Sequence, residues 1–433
     1  MWRGLARLLA FAIAIAVVRP EVARANGRFP ASNAVIFSPS DPQTVIVRVT
    51  FGLLVTRDAG KSWRWICERG VGFSSLEDPS YVVTKSGAIV AGLFEGVRVS
   101  RDGGCTWASV PMPDGATVFV DLTERSDGAL VALSSSYDKR GDGGSLYKSR
   151  LYLSTDDAKT FAPLGALMDP TLLAESVEVA PSDPSRLYVS AVRGDDSPRQ
   201  GALLVSTNAG AKWTERAIPL DDKELAPFIA AVDPARPDRV YLRTSAPVER
   251  GTRLLVTDDG GKTLEKVFAA KGPLLGFALA QGGDALWIGG PDDGLHRGTR
   301  EGVERASDLK VQCLAERGGV LWACSSEASG FIAGSSTDRG STFVDRLHLA
   351  GIGGLLECPA GSNVQKECAG EFEKLRAQLG LDPVGARSAS PDAGAARPDA
   401  PAPTRGLGST GAIVVVVVVA AGAAALFVRA RRR

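Results

Sequence analysis

One octet recurs along the chain and limits the fold more than any other feature. It reads Thr56-Arg57-Asp58-Ala59-Gly60-Lys61-Ser62-Trp63, then Ser100-Arg101-Asp102-Gly103-Gly104-Cys105-Thr106-Trp107. Two further copies are Ser154-Thr155-Asp156-Asp157-Ala158-Lys159-Thr160-Phe161 and Ser206-Thr207-Asn208-Ala209-Gly210-Ala211-Lys212-Trp213. The last two are Thr257-Asp258-Asp259-Gly260-Gly261-Lys262-Thr263-Leu264 and Ser336-Thr337-Asp338-Arg339-Gly340-Ser341-Thr342-Phe343. Most follow an apolar stretch such as Leu53-Leu54-Val55 or Leu203-Leu204-Val205. A strand-then-turn unit repeated at this period builds an array of like sheets.

The residue types explain the turn. The carboxylate at the third position (Asp58, Asp102, Asp156, Asp259, Asp338) can accept hydrogen bonds from backbone N–H groups. Glycine at the fifth (Gly60, Gly104, Gly210, Gly261, Gly340) permits a positive φ. The hydroxyl at the seventh can bond back to the same turn. The aromatic at the eighth (Trp63, Trp107, Trp213) packs the hairpin onto its neighbour. The departures are Ala158 for glycine, Asn208 for aspartate, Lys212 for the hydroxyl and Leu264 for the aromatic. A further repeat near Leu286 carries only Asp293-Gly294-Leu295 and Gly298, so its hairpin is expected from turn propensity alone.

A second unit, a tight turn followed by an apolar strand, occurs seven times. Its strands start near Val45, Ile89, Leu130, Leu187, Val240, Leu286 and Leu321, each after a turn such as Ser40-Asp41-Pro42 or Gly282-Gly283-Asp284. The starts lie 35 to 57 residues apart, the spacing of four short strands and their turns. Gly 49 and Pro 25 suit that many connections.

The octets resemble the Asp box, Ser-x-Asp-x-Gly-x-Thr-Trp, of the β-propeller superfamily that includes the bacterial neuraminidase repeats and sortilin. The resemblance covers most of residues 30 to 350. It implies an all-β fold, a seven-bladed β-propeller with Asp-box hairpins; six or eight blades are compatible with the same count. Radial repetition leaves only short sheet edges. Residues near Phe343 to Leu347, or the segment before Ser38, are expected to close the ring by completing a blade with the opposite terminus. In such propellers the boxes lie on the periphery, so they say nothing of catalysis.

The flanks read differently. Residues 1–25 form a signal peptide: Arg3 and Arg7, an apolar run from Leu8 to Val18, and Ala23-Arg24-Ala25 as a cleavage site. The propeller takes 26–355. Residues 356–383 form a Cys-bounded loop and a short helix, about Glu371 to Leu379, with Phe372, Leu375 and Leu379 on one face and Gly380 as its stop. Residues 384–410, rich in Pro, Ala and Gly, form a disordered tether. Residues 411–428 carry no charge and nearly span a hydrocarbon core as one transmembrane helix. The arginine-rich 429–433 then lies in the cytoplasm. A sorting tail removed after export fits the same residues.

The six cysteines of an exported chain are expected to pair. Cys313 and Cys324 flank a hairpin turn and should bond to each other. Cys358–Cys368 would close a small loop, leaving Cys67–Cys105 between the first two octets. There is no Cys-x-x-Cys and only His296 and His348, so no metal site and no cofactor are expected.

A net charge of +1 gives no bulk attraction to nucleic acid. Sialidases of the resembling family use three arginines, a tyrosine–glutamate pair and an aspartate; no residue here matches those motifs, so no catalytic residue is assigned. Tyr188 and Tyr241 fall in repeated strand positions and read as core. Asp221/Asp222 and Asp292/Asp293 are carboxylate pairs in polar turns, and Arg193-Gly194-Asp195 is an adhesion-like tripeptide in a loop. The expectation is a non-catalytic, extracytoplasmic, membrane-anchored module that binds an extracellular protein, peptide or glycan. Its binding face would use uneven loops, Ser134 to Lys148 (with Tyr137, Lys139 and Arg140) and Arg193 to Gly201. The alternatives are a sialidase-like or endoglucanase-like glycoside hydrolase and an assembly scaffold.

Overall fold

The computed structural model describes residues 30–380, apart from 75, 140–143, 195–198 and 248–249. The expected signal sequence, the expected tether, the apolar run at 411–428 and the arginine tail lie outside these residues. Among them, no helix is long and apolar enough to cross a membrane.

Seven antiparallel sheets, each built from consecutive strands, make up the body. Blades 1 to 7 cover residues 32–66, 80–110, 119–164, 172–218, 226–269, 276–307 and 313–347. The repeated apolar runs supply the second strand of every blade, as in Val45–Val49, Ile89–Leu93 and Val240–Ser245. The octets join third strand to fourth. First strands pack against first strands around the ring, and Cys313–Arg317 of blade 7 meets Ser32–Phe37 of blade 1. The protein is therefore an all-β, seven-bladed propeller.

Apolar alternation explains where the core sits. A radial sheet buries both faces against its neighbours, so the core is a set of seams rather than one centre. One cluster joins blades 3 and 4 through Leu133, Leu151, Val177 and Val189. Another joins blades 2 and 3 through Val90, Val97, Leu130 and Tyr152. Charged latches cross the seams of blades 1 and 2, 2 and 3, and 7 and 1 on the octet face. Arg57 Nη2 donates to Gly103 O (3.1 Å), Arg101 pairs with Asp157 (2.6 Å), and Arg317 Nη1 donates to Ser38 O (2.7 Å).

Ring closure departs from expectation. Val344–Leu347 pairs with Ala333–Ser336 inside blade 7, and Ser32–Phe37 is blade 1's own inner strand. Every blade draws four strands from contiguous chain, so none lacks a strand for the other terminus to supply. Instead Ile352–Leu355 adds a fifth, parallel strand outside Trp63–Ile66 of blade 1. Ser32 Oγ reaches Ile332 O (2.7 Å) of blade 7.

There are two α-helices among the described residues, α1 (Glu68–Val71) and α2 (Asn363–Gln378). α2 starts eight residues before the expected Glu371, because Ser362 caps it by accepting from Gln365 N (3.2 Å). Gly380 ends it at φ 68°. Phe372 and Leu375 are buried.

All six cysteines are paired, and one of three expected partnerships holds. Cys313 bonds Cys324 across facing strand residues. The other two are corrected: Cys67 bonds Cys368, and Cys105 bonds Cys358. The expected pairs were local. The structure lays α2 along the outer edge of blade 1, with Phe372 5.8 Å from Trp65, and that packing brings Cys368 to Cys67. Val364 N meanwhile donates to Cys105 O (3.2 Å), so Cys358 ends beside Cys105. Three disulfides mark a chain that matures in an oxidising, extracytoplasmic setting.

Candidate functional site: the central channel

At each octet the turn is built twice over. The third-position carboxylate of the first copy, Asp58, accepts from Lys61 N and Ser62 N (both 2.9 Å) and from Ser62 Oγ (2.6 Å). The fourth and fifth residues are both left-handed, for example Ala59 at φ 58° and Gly60 at φ 88°; Ala158 accepts φ 57° without a glycine. Thr160 beside Asp156 holds that carboxyl at about 2, and Thr263 N–H does the same for Asp259. Asn208 keeps one of these bonds, from Lys212 N (2.8 Å).

The sequence reading overlooked the first position. Its hydroxyl is buried and accepts from the fifth-residue N–H in every octet, as in Ser100 to Gly104, Ser206 to Gly210 and Ser336 to Gly340 (2.8–2.9 Å). Its constant Ser or Thr was the available signal. The aromatics differ in use: Trp63 Nε1 bonds Arg346 O of blade 7 (2.7 Å), whereas Trp107 Nε1 bonds Gly104 O of its own turn (2.9 Å). Trp213 is half-buried against the seam of blades 3 and 4. These are wall elements, on the outer edge of the ring.

The chemistry of the channel lies elsewhere. Arg48 and Arg243 are the fourth residues of equivalent second strands, in blades 1 and 5. Asp121 sits at the same level on the inner strand of blade 3, opposite Leu133. The three groups act on one another across the channel, although their blades are not neighbours. Arg48 Nε donates to Asn33 Oδ1 and its Nη1 to Pro79 O, both at 2.7 Å. Arg243 Nη1 donates to Leu274 O (2.9 Å) and Leu275 O (3.2 Å), and its guanidinium lies 5.9 Å from the Phe228 ring centre. Burial, then the Arg48 charge, holds the Arg243 guanidinium below its ordinary value.

The carboxylates of this region are shifted the other way. Asp121 is pushed up to about 6 by burial, although it accepts from Leu122 N and Val177 N (both 2.9 Å) and from Ser80 Oγ (3.1 Å). Glu178 is pushed up to about 8 by burial, with the Asp121 charge adding to it; Thr123 Oγ1 donates to its Oε2 (2.9 Å). Glu175, on the same strand, is pushed up to about 7 by burial. None carries a motif. The signal that could have found them is a charge inside an otherwise apolar strand, as in Leu172–Ala180.

Other expected candidates are placed apart from the channel. Tyr188 and Tyr241 are buried in the seams. Asp293 is a loop staple that accepts from Lys271 N (3.0 Å) and Gly272 N (3.3 Å). Asp221 is exposed beside Arg253. Arg193 is engaged by Thr171, Asp169 and Glu215, and Asp195 lies outside the described residues. The expected loop from Ser134 to Lys148 is instead a long hairpin: Leu130–Lys139 pairs with Ser145–Ser154, and Tyr137 faces Tyr147 with ring centres 6.5 Å apart. Arg140 at its tip lies outside the described residues. Among these residues no three His, Cys, Asp or Glu side chains come together as a metal site needs.

No family model and no curated protein matches the chain. Solved structures do. A GH74 enzyme from Niastella koreensis is 13% identical, with a TM-score of 0.42, over 72% of this chain and 65% of that one. An ancestral GH74 enzyme is 13% identical, with a TM-score of 0.53, over 72% of this chain and 46% of that one. Hydrazine synthase from Kuenenia stuttgartiensis is 11% identical, with a TM-score of 0.48, over 73% of this chain and 98% of that one. The chain thus spans less than two thirds of either GH74 enzyme. At such identities the likeness is one of fold, the β-propeller.

Proposed function

We propose that this chain is a non-catalytic, exported binding module that is held to a membrane by its C-terminal segment. It recognises an acidic group on a protein, peptide or glycan at the channel. The octets, by their hydrogen bonding, are read as Asp boxes that brace the wall. The observation that carries the proposal is Arg243. Its guanidinium is half-buried, no carboxylate bonds it, and its partners are backbone carbonyls and one ring. A buried charge without a bonded counter-ion is costly, and an acidic ligand relieves that cost.

The competing reading is a glycoside hydrolase. Glu178, at about 8, holds a proton at neutral pH as a general acid must. Against it, Asp121 has both carboxyl oxygens committed to blades 2, 3 and 4, so it is not free to serve as the second carboxylate.

The test is direct. The purified chain is screened against acidic peptides and a glycan array, then assayed for hydrolysis of sialosides and β-glucans. Arg243→Gln should weaken the captured ligand about tenfold or more, as loss of a charge-assisted hydrogen bond does. Hydrolysis abolished by Glu178→Gln would overturn the binding-module reading.

A further inference from the structure

The exposed apolar side chains of this propeller are not scattered. In every blade, strand connections 1–2 and 3–4 lie at the octet end, and connections 2–3 and 4–1 lie at the other. Leu76, Phe94, Tyr137, Leu146, Leu167 and Leu275 are all exposed, and all six sit in or beside the second kind of connection. Five of them belong to the adjoining blades 2 and 3, to the loop that enters blade 2 or to the loop that leaves blade 3. Leu76 and Phe94 are neighbours, because Glu77 Oε2 accepts from Phe94 N (2.8 Å). Leu167 lies beside the tyrosine hairpin, since Met168 N donates to Ser149 O (3.0 Å). Among the described residues, the one other large exposed apolar side chain, Val344, is on an outer edge strand. An apolar arc of this kind on an otherwise polar protein marks a contact surface.

The course of α2 bears on what the arc faces. The helix begins beside Cys105, in the second octet, where Val364 N bonds Cys105 O. It then passes Cys67, which follows the fourth strand of blade 1, through the Cys67–Cys368 bond. Phe372 next covers Trp65, whose Nε1 bonds Phe51 O in a 2–3 turn (2.9 Å). Sixteen residues climb about 24 Å, from the octet face to the face that bears the arc. The chain therefore leaves the propeller at the rim of the apolar face, and the sequence beyond it includes the uncharged run 411–428.

We infer that the face opposite the octets lies against the lipid bilayer that holds the chain's own C-terminal segment, with Leu76, Phe94, Tyr137, Leu146 and Leu167 at the headgroup–acyl boundary. Aromatic and apolar tips are the side chains that such a boundary accepts. The octet face then points away from the membrane. The inference rests on the reading of 411–428 as the anchor.

Full-length protein is reconstituted into vesicles of phosphatidylcholine with a minority of phosphatidylglycerol, some lipids carrying an acyl-chain nitroxide. Phe94→Cys, Leu146→Cys and Val344→Cys variants, re-oxidised and then labelled with a polarity-sensitive dye, report contact with lipid. The inference expects quenching of the dye at Phe94 and Leu146 and none at Val344. Amide exchange on the unsubstituted protein repeats the test without new cysteines: the segments around Leu76, Phe94 and Leu146 should exchange more slowly in vesicles than in detergent. Release of the chain from vesicles by alkaline carbonate would sink the anchor reading and this inference with it. A chain that stays embedded while the Phe94 and Leu146 dyes remain in water, or exchange unchanged, overturns the orientation alone and leaves the arc to a protein partner.

Discussion

Cys368 of α2 is bonded to Cys67 at the end of blade 1 across 301 residues, and Cys105–Cys358 spans 253 residues alongside it. The two bonds close nearly the same loop. Removing either one leaves the other to hold the C-terminal segment, so the chain entropy released is that of a much shorter loop. On that model the first loss costs about 4 kcal/mol and the second about 5.5 kcal/mol. Cys67→Ser/Cys368→Ser, Cys105→Ser/Cys358→Ser and the fourfold variant, compared by denaturant unfolding, check it. A fourfold variant no less stable than either pair would refute the shared-loop account.

The first-position hydroxyl of the octets is expected to be worth as much as the carboxylate that names them. Ser206→Ala leaves the buried Gly210 N–H without an acceptor, which should cost about 1–3 kcal/mol. Urea midpoints measure it. The change at exposed Thr207, which precedes Asn208 in the same turn, should stay within about 0.5 kcal/mol.

Stability should peak in mild acid. The octet carboxyls Asp156 and Asp259 are depressed from 3.8 to about 2, so their contribution is present above pH 4 and lost as pH falls toward 2. Glu178 and Glu175 are raised from 4.5 to about 8 and about 7, so the folded state binds the extra protons. Stability therefore falls as pH rises from about 4.5 to 8. Melting temperatures across that range should decline, and Glu178→Gln should flatten the decline while leaving the value near pH 4 unchanged. An unaltered slope in that variant would rule out Glu178 as its source.

Close approach between blades is expected to make some glycines irreplaceable for reasons of space alone. A Cβ on Gly276 would stand 2.5 Å from Val311 Cγ1 and 2.7 Å from Leu314 Cγ, in the seam of blades 6 and 7. Gly276→Ala should cost about 1–3 kcal/mol by overpacking. Gly302→Ala, where a Cβ meets nothing within 4 Å, should change little. Equal effects at both sites would disprove the packing argument.

The octets and the apolar runs from Val45 to Leu321 were enough to read the blade count and the identity of each second strand, because turn chemistry and alternation are local. The Cys313–Cys324 pair was legible for the same reason: both residues flank one hairpin. Cys67 and Cys105 were assigned to each other wrongly because nothing local records that α2 folds back along blade 1. Ser362 went unread as a cap because the helix was placed from its later apolar face.

The sequence by itself determined an all-β ring of repeated hairpins and the residues that turn each corner. Only the tertiary structure decided that the charges of Arg48, Asp121 and Arg243 act on one another across the ring, and that six exposed apolar side chains share one face. Those groupings join residues from blades far apart in the chain. They follow from the closed geometry of the ring, which no local pattern of residues encodes.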